Sequence, residues 1–201
     1  MSFTRISWVP LKADVDDAAL APFKAAGATL SKQPGIKNIY HGPWASEDAA
    51  KAAESSSAFS EIEGIITGII DTSKAQPYTN LVNLNKPFDS IVSSVTRIVA
   101  IFLPASVDKA EFTAKLEVME ATVPAANMPG FQGAIHGWSI NQIEHPSIPG
   151  GPANILVAVA GWESLEASVA SASAPGMNDC QATLSQFGGI VEVSHVSLTK
   201  A

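Results

Sequence analysis

Apolar positions change their period along the chain, and each change marks an element. Thr4 to Leu11 is short, rich in β-formers and closed by Pro10, which predicts a strand. Leu20, Phe23, Ala26 and Leu30 then recur at helical spacing behind Asp16 and Asp17, acidic residues that suit a helix N-terminus and its dipole. Pro22 falls inside that pattern, so the helix starts there or is kinked there. Pro34-Gly35 ends it, Ile36 to His41 predicts a second strand, and Gly42-Pro43-Trp44 turns the chain. Ser46-Glu47-Asp48 opens a second helical run through Phe59, Ile62, Ile66 and Ile69, with a break near Ser55 to Ser57. Tyr78 to Leu84 alternates as a closing strand, and Asn85, Lys86 and Pro87 read as a linker.

The second half repeats the plan. Thr96 to Leu103 predicts a strand, Ser106 a helix cap, and Phe112, Leu116, Met119 and Val123 one apolar helix face. Gly130 to Ile140 and the very apolar Ile155 to Trp162 predict two strands, joined by a Pro/Gly-rich loop from Asn141 to Asn154. Ser164 caps a helix that is interrupted at Pro175-Gly176 and stopped at Gly188-Gly189, and Ile190 to Leu198 is the last strand.

The repetition extends to single residues. Pro34-Gly35 and Pro129-Gly130 are each followed, four residues on, by an aliphatic or aromatic residue and His-Gly, at His41-Gly42 and His136-Gly137. Thr4-Arg5-Ile6 and Thr96-Arg97-Ile98 precede the two copies, and Trp44-x-Ser46 and Trp162-x-Ser164 follow them. A repeat is best identified before any element is assigned, and this one predicts a tandem duplication with domains at 1–90 and 91–201. The halves are unequal. His136 to Trp162 spans 162 − 136 = 26 positions and His41 to Trp44 spans 44 − 41 = 3, so the first half lacks about one strand.

Composition narrows the partners. Hydrophobic residues make up 46% of the 201 and charged residues 15%, ample for a packed core and low for an exposed surface. A net charge of −7, with twelve scattered Lys and Arg, gives no electropositive footprint, so nucleic acid is not expected. The apolar run from Ile62 to Ile70 falls short of the ~20 residues of a membrane span, so none is expected. A single cysteine, Cys180, and no apolar signal core after Met1 make a cytoplasmic location the expectation.

The second half spells strand, helix, strand, strand, helix, strand, the ferredoxin-like βαββαβ order. With Gly161-Trp162-Glu163-Ser164-Leu165-Glu166-Ala167 between a β-rich segment and a helix, the chain resembles the dimeric α/β-barrel superfamily. Within it the likeness is to antibiotic-biosynthesis-monooxygenase-like and stress-responsive A/B-barrel proteins, in a tandem, fungal-type form. The resemblance implies an α+β fold in which two ferredoxin-like halves pack sheet to sheet as an intrachain α/β barrel. The shortened half leaves an edge for a second chain, hence room for a homodimer. It also implies a small-molecule ligand and chemistry without a cofactor, on an aromatic or polyketide-like compound: cyclase, lyase, isomerase or monooxygenase.

Imidazole exchanges protons near neutral pH, so a pocket histidine is the expected general acid or base. His136 is the first candidate, with His41 and His195 beside it. Alternation puts Gln132, Ala134, His136, Trp138 and Ile140 on one face, a mixed wall suited to a flat ligand. Trp8, Tyr40 and Asn38 are further substrate-binding candidates, and Asn80 and Asn83 further donors. The same residues equally suit structural roles: a duplicated histidine can bond a strand end, and tryptophans can fill a barrel. A non-catalytic binding or stress-response protein is the competing class. His41, His136, His145 and His195 lack the close pairings of a metal site, so no metal is expected. The loop from His145 to Pro152 reads as a lid or a surface excursion.

Overall fold

The computed structural model describes residues 3–8, 12–16, 18–19, 21–22, 25–26, 43–44, 60, 64–65, 67–71, 73, 78–122 and 128–198. The chain is α+β and divides into two compact units, Met1–Asn83 with Thr199–Ala201, and Leu84–Leu198. Among the described helices none is long and apolar enough to cross a membrane.

In the first unit β1 (Phe3–Trp8) pairs antiparallel with β2 (Pro43–Trp44) on one side and β3 (Tyr78–Leu84) on the other. Thr4, Ile6, Asn80 and Val82 are its buried row, because paired residues on neighbouring strands share a face. Helical backbone occurs at 18–19, 21–22 and 25–26, and again at 60, 64–65 and 67–69. Asp16 caps the first of these segments, its carboxylate accepting from the Ala19 amide at 2.8 Å, so helical backbone begins ahead of Pro22.

The second unit is built from β4 (Val95–Leu103), α1 (Lys109–Thr122), β5 (Phe131–Ser139), β6 (Asn154–Trp162), α2 (Leu165–Ala170), α3 (Met177–Gln186) and β7 (Ile190–Val196). Its strands lie in the order β5-β6-β4-β7, all antiparallel, which is the ferredoxin-like arrangement. β6 has a neighbour on each edge and is buried on both faces, and that is why its sequence reads as an unbroken apolar run.

Local chemistry explains the boundaries. α1 is capped by Asp108 rather than Ser106: its Oδ1 accepts from the amides of Ala110 and Glu111 at 2.8 and 3.1 Å, while a Pro104–Val107 turn precedes it. Ser164 does cap α2, accepting from the Ala167 amide at 3.1 Å. Gly176, at φ 89°, separates α2 and the 3-10 turn Ser171–Ser173 from α3. Gly161 is required by a close approach, since a Cβ there would stand 2.7 Å from the carbonyl oxygen of Ile91.

The two faces of this sheet differ. One carries Thr96, Ile98, Ala100 and Phe102 with Ile155, Val157, Val159 and Ile135, all buried. The other meets the helices, where Ile101, Leu103 and Leu156 pack with Phe112 of α1, and Leu184 and Phe187 complete the cluster. Phe112 contacts Phe187 and Trp138 edge to face at 5.2 and 5.8 Å.

Candidate active site

Cross-strand pairing orders the helix-facing side into rows. Trp138, Leu156, Ile101 and Val191 form one row, His136, Ala158, Val99 and Val193 the next, and Ala134, Ala160, Arg97 and His195 the third. His136, Trp138, Arg97 and His195 therefore share one face. They gather into two polar centres, one beneath α1 and one beneath α2.

His136 is the first centre. It is 8% exposed, in the middle of β5. Asn85 brackets its backbone, the Asn85 side chain accepting from the His136 amide at 3.0 Å and the Asn85 amide donating to the His136 carbonyl at 2.8 Å. Its Nδ1 lies 3.1 Å from Oε1 of Glu120, in the last turn of α1. A carboxylate there opposes the helix dipole, so helix stability does not explain its position. With Nδ1–H donating to Glu120, the ring holds the tautomer whose Nε2 lone pair is available, and Nε2 makes no hydrogen bond among the described residues. Trp138 stands next to it, held by its indole N–H donating to Thr113 Oγ1 at 2.9 Å, with Lys109 Nζ 5.2 Å from the ring centre.

Arg97 and His195 are the second centre, directly paired across β4 and β7. His195 Nε2 is 3.0 Å from the buried hydroxyl of Ser168. The Arg97 guanidinium stacks over Trp162 at 4.9 Å, and its Nη1 donates to Ser171 Oγ at 2.9 Å and to the Ser168 carbonyl at 3.2 Å. Burial pulls the Arg97 pKa down from its ordinary value. Desolvation first, and then the charge of Arg97, lowers that of His195. A cavity of about 330 Å3 adjoins this centre, with Met128, Pro129, Ala167, Ala170, Ser171 and Pro175 among its walls. His136 is not one of them.

The other candidates lie elsewhere. Gln132 is the extra residue of a β-bulge between Phe131 and Gly133, exposed and out of the alternation that carries Ala134, His136 and Trp138. The His145 loop packs on the opposite face of the sheet from His136. Its imidazole stacks on Phe102 at 4.4 Å and approaches Glu192 at 3.5 Å, and Ile148 is buried. It is therefore no lid for His136. His41, Tyr40 and Asn38 lie outside the described residues, as does the side chain of Trp8, whose backbone pairs with Tyr78. Asn80 and Asn83 are in β3, Asn80 fully buried. Glu120, Asn85, Ser168 and Ser171 were not among the sequence candidates. Arg97 was seen only as part of the repeat, although a charge in the otherwise apolar β4 was its signal.

No protein-family model matches the sequence, and no curated protein matches it. Solved structures do. An anthrone oxidase-like protein superposes with a TM-score of 0.64 at 10% identity, covering 98% of this chain and 91% of its own. The chain shares the fold of that protein. A monooxygenase-like protein from Fusobacterium nucleatum matches with a TM-score of 0.55 at 10% identity, covering 99% of this chain and 92% of that one. Another from Lactobacillus acidophilus gives 0.52 at 12% identity, covering 99% and 93%. At these identities the likeness concerns the fold alone, and the chemistry rests on the residues just described.

Proposed function

We propose that the chain is an oxygenase-type enzyme that works without a cofactor on a phenolic or polyketide-like aromatic compound, with His136 as its base. The observation that carries the reading is the Glu120–His136 pair, a carboxylate that orients an imidazole and leaves Nε2 to take a proton. Histidines so oriented abstract protons from phenols and from activated carbon acids near neutral pH. The names of the structural neighbours, two monooxygenase-like proteins and an anthrone oxidase-like protein, support oxygenation over cyclisation, lyase or isomerase chemistry from the same first step.

The substrate in this reading is an anthrone-like carbon acid. His136 Nε2 takes a proton from the doubly activated methylene carbon, and the electron pair left there is delocalised into the rings. That carbanion gives its electrons to dioxygen. The methylene becomes a carbonyl, one oxygen atom stays in the product, and the other leaves as water with the two methylene hydrogens. Trp138, held by Thr113, supplies an aromatic wall beside the reacting carbon.

Oxygen uptake with anthrone as the probe tests this. The wild-type chain is expected to exceed the uncatalysed rate, His136→Ala to lose ~10²–10⁴ of that enhancement with folding intact, and Glu120→Gln to lose less while shifting the pH profile. The competing reading is a non-catalytic binding protein, favoured by the cavity's lying away from His136. Saturable aromatic binding with no acceleration of oxygen uptake over a panel of phenolic carbon acids would replace the enzyme by that reading.

A further inference from the structure

Arg97 and Trp162 carry two buried donors that the fold leaves unused. The Arg97 Nε and the Trp162 Nε1 are both out of contact with solvent, and neither has a hydrogen-bond partner among the described residues. Arg97 makes no ion pair there either. Leaving a buried donor unsatisfied is destabilising, and more so where the donor belongs to a partly buried charged group without a counter-charge. A satisfied core would have met these groups with a carbonyl or a carboxylate, and such unmet groups in a native structure call for an explanation.

The surroundings suit a ligand. Trp162 is fully buried and offers its ring face to the guanidinium, leaving the ring-edge N–H as a donor. Ser171, which accepts from Arg97, is also a wall of the apolar cavity, so the charged centre and the open space meet at one residue. On the sheet the neighbours of Arg97 are small. Ala160 pairs with it and Ala134 lies one strand beyond, with Ala158 two residues along β6. Ala134 is exposed and Ala158 half-buried, so this part of the face is not closed over beside Arg97.

We infer that Arg97, with Trp162 and Ser171, forms a binding site for the anionic oxygen, carboxylate or phenolate, of a flat aromatic ligand. The guanidinium supplies charge and the Nε donor, the indole supplies Nε1, and the apolar walls take the rings. Arg97 lies two strands and two residues from His136 on the same face, a Cα separation of ~12 Å from ordinary strand spacings. A polycyclic anion anchored at Arg97 therefore extends toward His136. That last step rests on the oxygenase reading, whereas the anion site does not.

The test uses the full-length chain and two matched probes, 2-naphthoate and neutral 2-naphthamide, titrated by tryptophan fluorescence and by chemical-shift changes. The wild type is expected to bind 2-naphthoate saturably and about tenfold or more tighter than the amide. Arg97→Gln is expected to erase that preference and Arg97→Lys to keep part of it. If Arg97→Gln fails to fold, Trp162→Phe keeps the ring, removes the N–H and is expected to weaken 2-naphthoate severalfold. Equal affinity for the two probes, an unchanged carboxylate affinity in Arg97→Gln or Trp162→Phe, or no saturable binding at all overturns the site. Any of those results would mean that only water satisfies these donors. Oxygen uptake by His136→Ala separates the two readings, since it reports on the base whether or not 2-naphthoate binds.

Discussion

The two faces of the Leu84–Leu198 sheet are made by the same strands and have opposite characters. On one, Thr96, Ile98, Ala100, Phe102, Ile155, Val157 and Val159 are each no more than 3% exposed, and the one polar side chain of the group is a threonine hydroxyl. On the other, Arg97, His136 and Trp138, with His195 on β7, stand among the apolar Val99, Ile101 and Leu103. The first face is apolar but for that hydroxyl, whereas the second is packed beneath Phe112 and bordered by alanines only around Arg97 and His136. Substitutions should therefore separate stability from binding and turnover according to the parity of the residue along the strand.

The largest stability effect is expected on the closed face. Phe102 is fully buried and stacks with His145, so Phe102→Ala removes a ring from a packed site and should cost ~3–5 kcal/mol in urea unfolding. Ala134→Ser, on the exposed part of the helix-facing side, should change stability by no more than ~0.5 kcal/mol. Equal losses in the two variants would abolish the distinction between the faces.

A smaller effect is expected at Gly161, where the closed face meets the segment before β4. A methyl group there would stand 2.7 Å from the Ile91 carbonyl oxygen and 2.9 Å from Ser93 Oγ. That hydroxyl accepts from the Trp162 amide at 2.9 Å and donates to the Val95 carbonyl at 2.8 Å, so Gly161→Ala strains a backbone junction. The expected loss is ~1–3 kcal/mol, read from the thermal midpoint. Because Trp162 is the next residue, the variant should also weaken 2-naphthoate; a stability loss with unaltered binding would detach the Arg97 centre from this junction.

Much of the second unit was legible because its signals are local. Strand periods, the Ser164 cap and the Gly176 break depend on residues within a few positions of one another, and they fall where expected. The repeat was legible for the same reason: Phe3 to Ile6 and Val95 to Ile98 carry the same alternation of half-buried and buried residues, with Thr4 and Thr96 both buried. What was missed depends on distance. Glu120 meets His136 across 16 residues, Asn85 across 51 and Ser171 meets Arg97 across 74, and no periodicity encodes such pairs. Asn85 read as linker for that reason. Gln132 was misplaced because one bulge residue breaks the alternation on which its face was assigned. For the loop, composition offers a lid or a surface excursion and does not name the face it covers; His145 on Phe102 removes the lid over His136.

The smallest effect concerns pH and tests whether Arg97 acts at a distance on its own row. His195 has its pKa lowered from 6.5, first by desolvation and then by the Arg97 charge. The folded state thus prefers the neutral ring more than the unfolded chain does. Below the unfolded pKa the unfolded chain binds the extra proton, so the contribution of this group is present above about pH 6.5 and is lost as pH falls through the lowered folded value. His195 is largely exposed, and solvent screening keeps the effect small. The comparison that isolates it is His195→Asn against wild type, as urea midpoints from about pH 7 down to about pH 5. The wild type should lose slightly more stability over that interval than the variant. In Arg97→Gln the excess should shrink, since one of its two causes is gone, while the desolvation part remains. An excess that is unchanged in Arg97→Gln would mean that the guanidinium field does not reach the ring beside it, and it would then have little hold on a ligand oxygen.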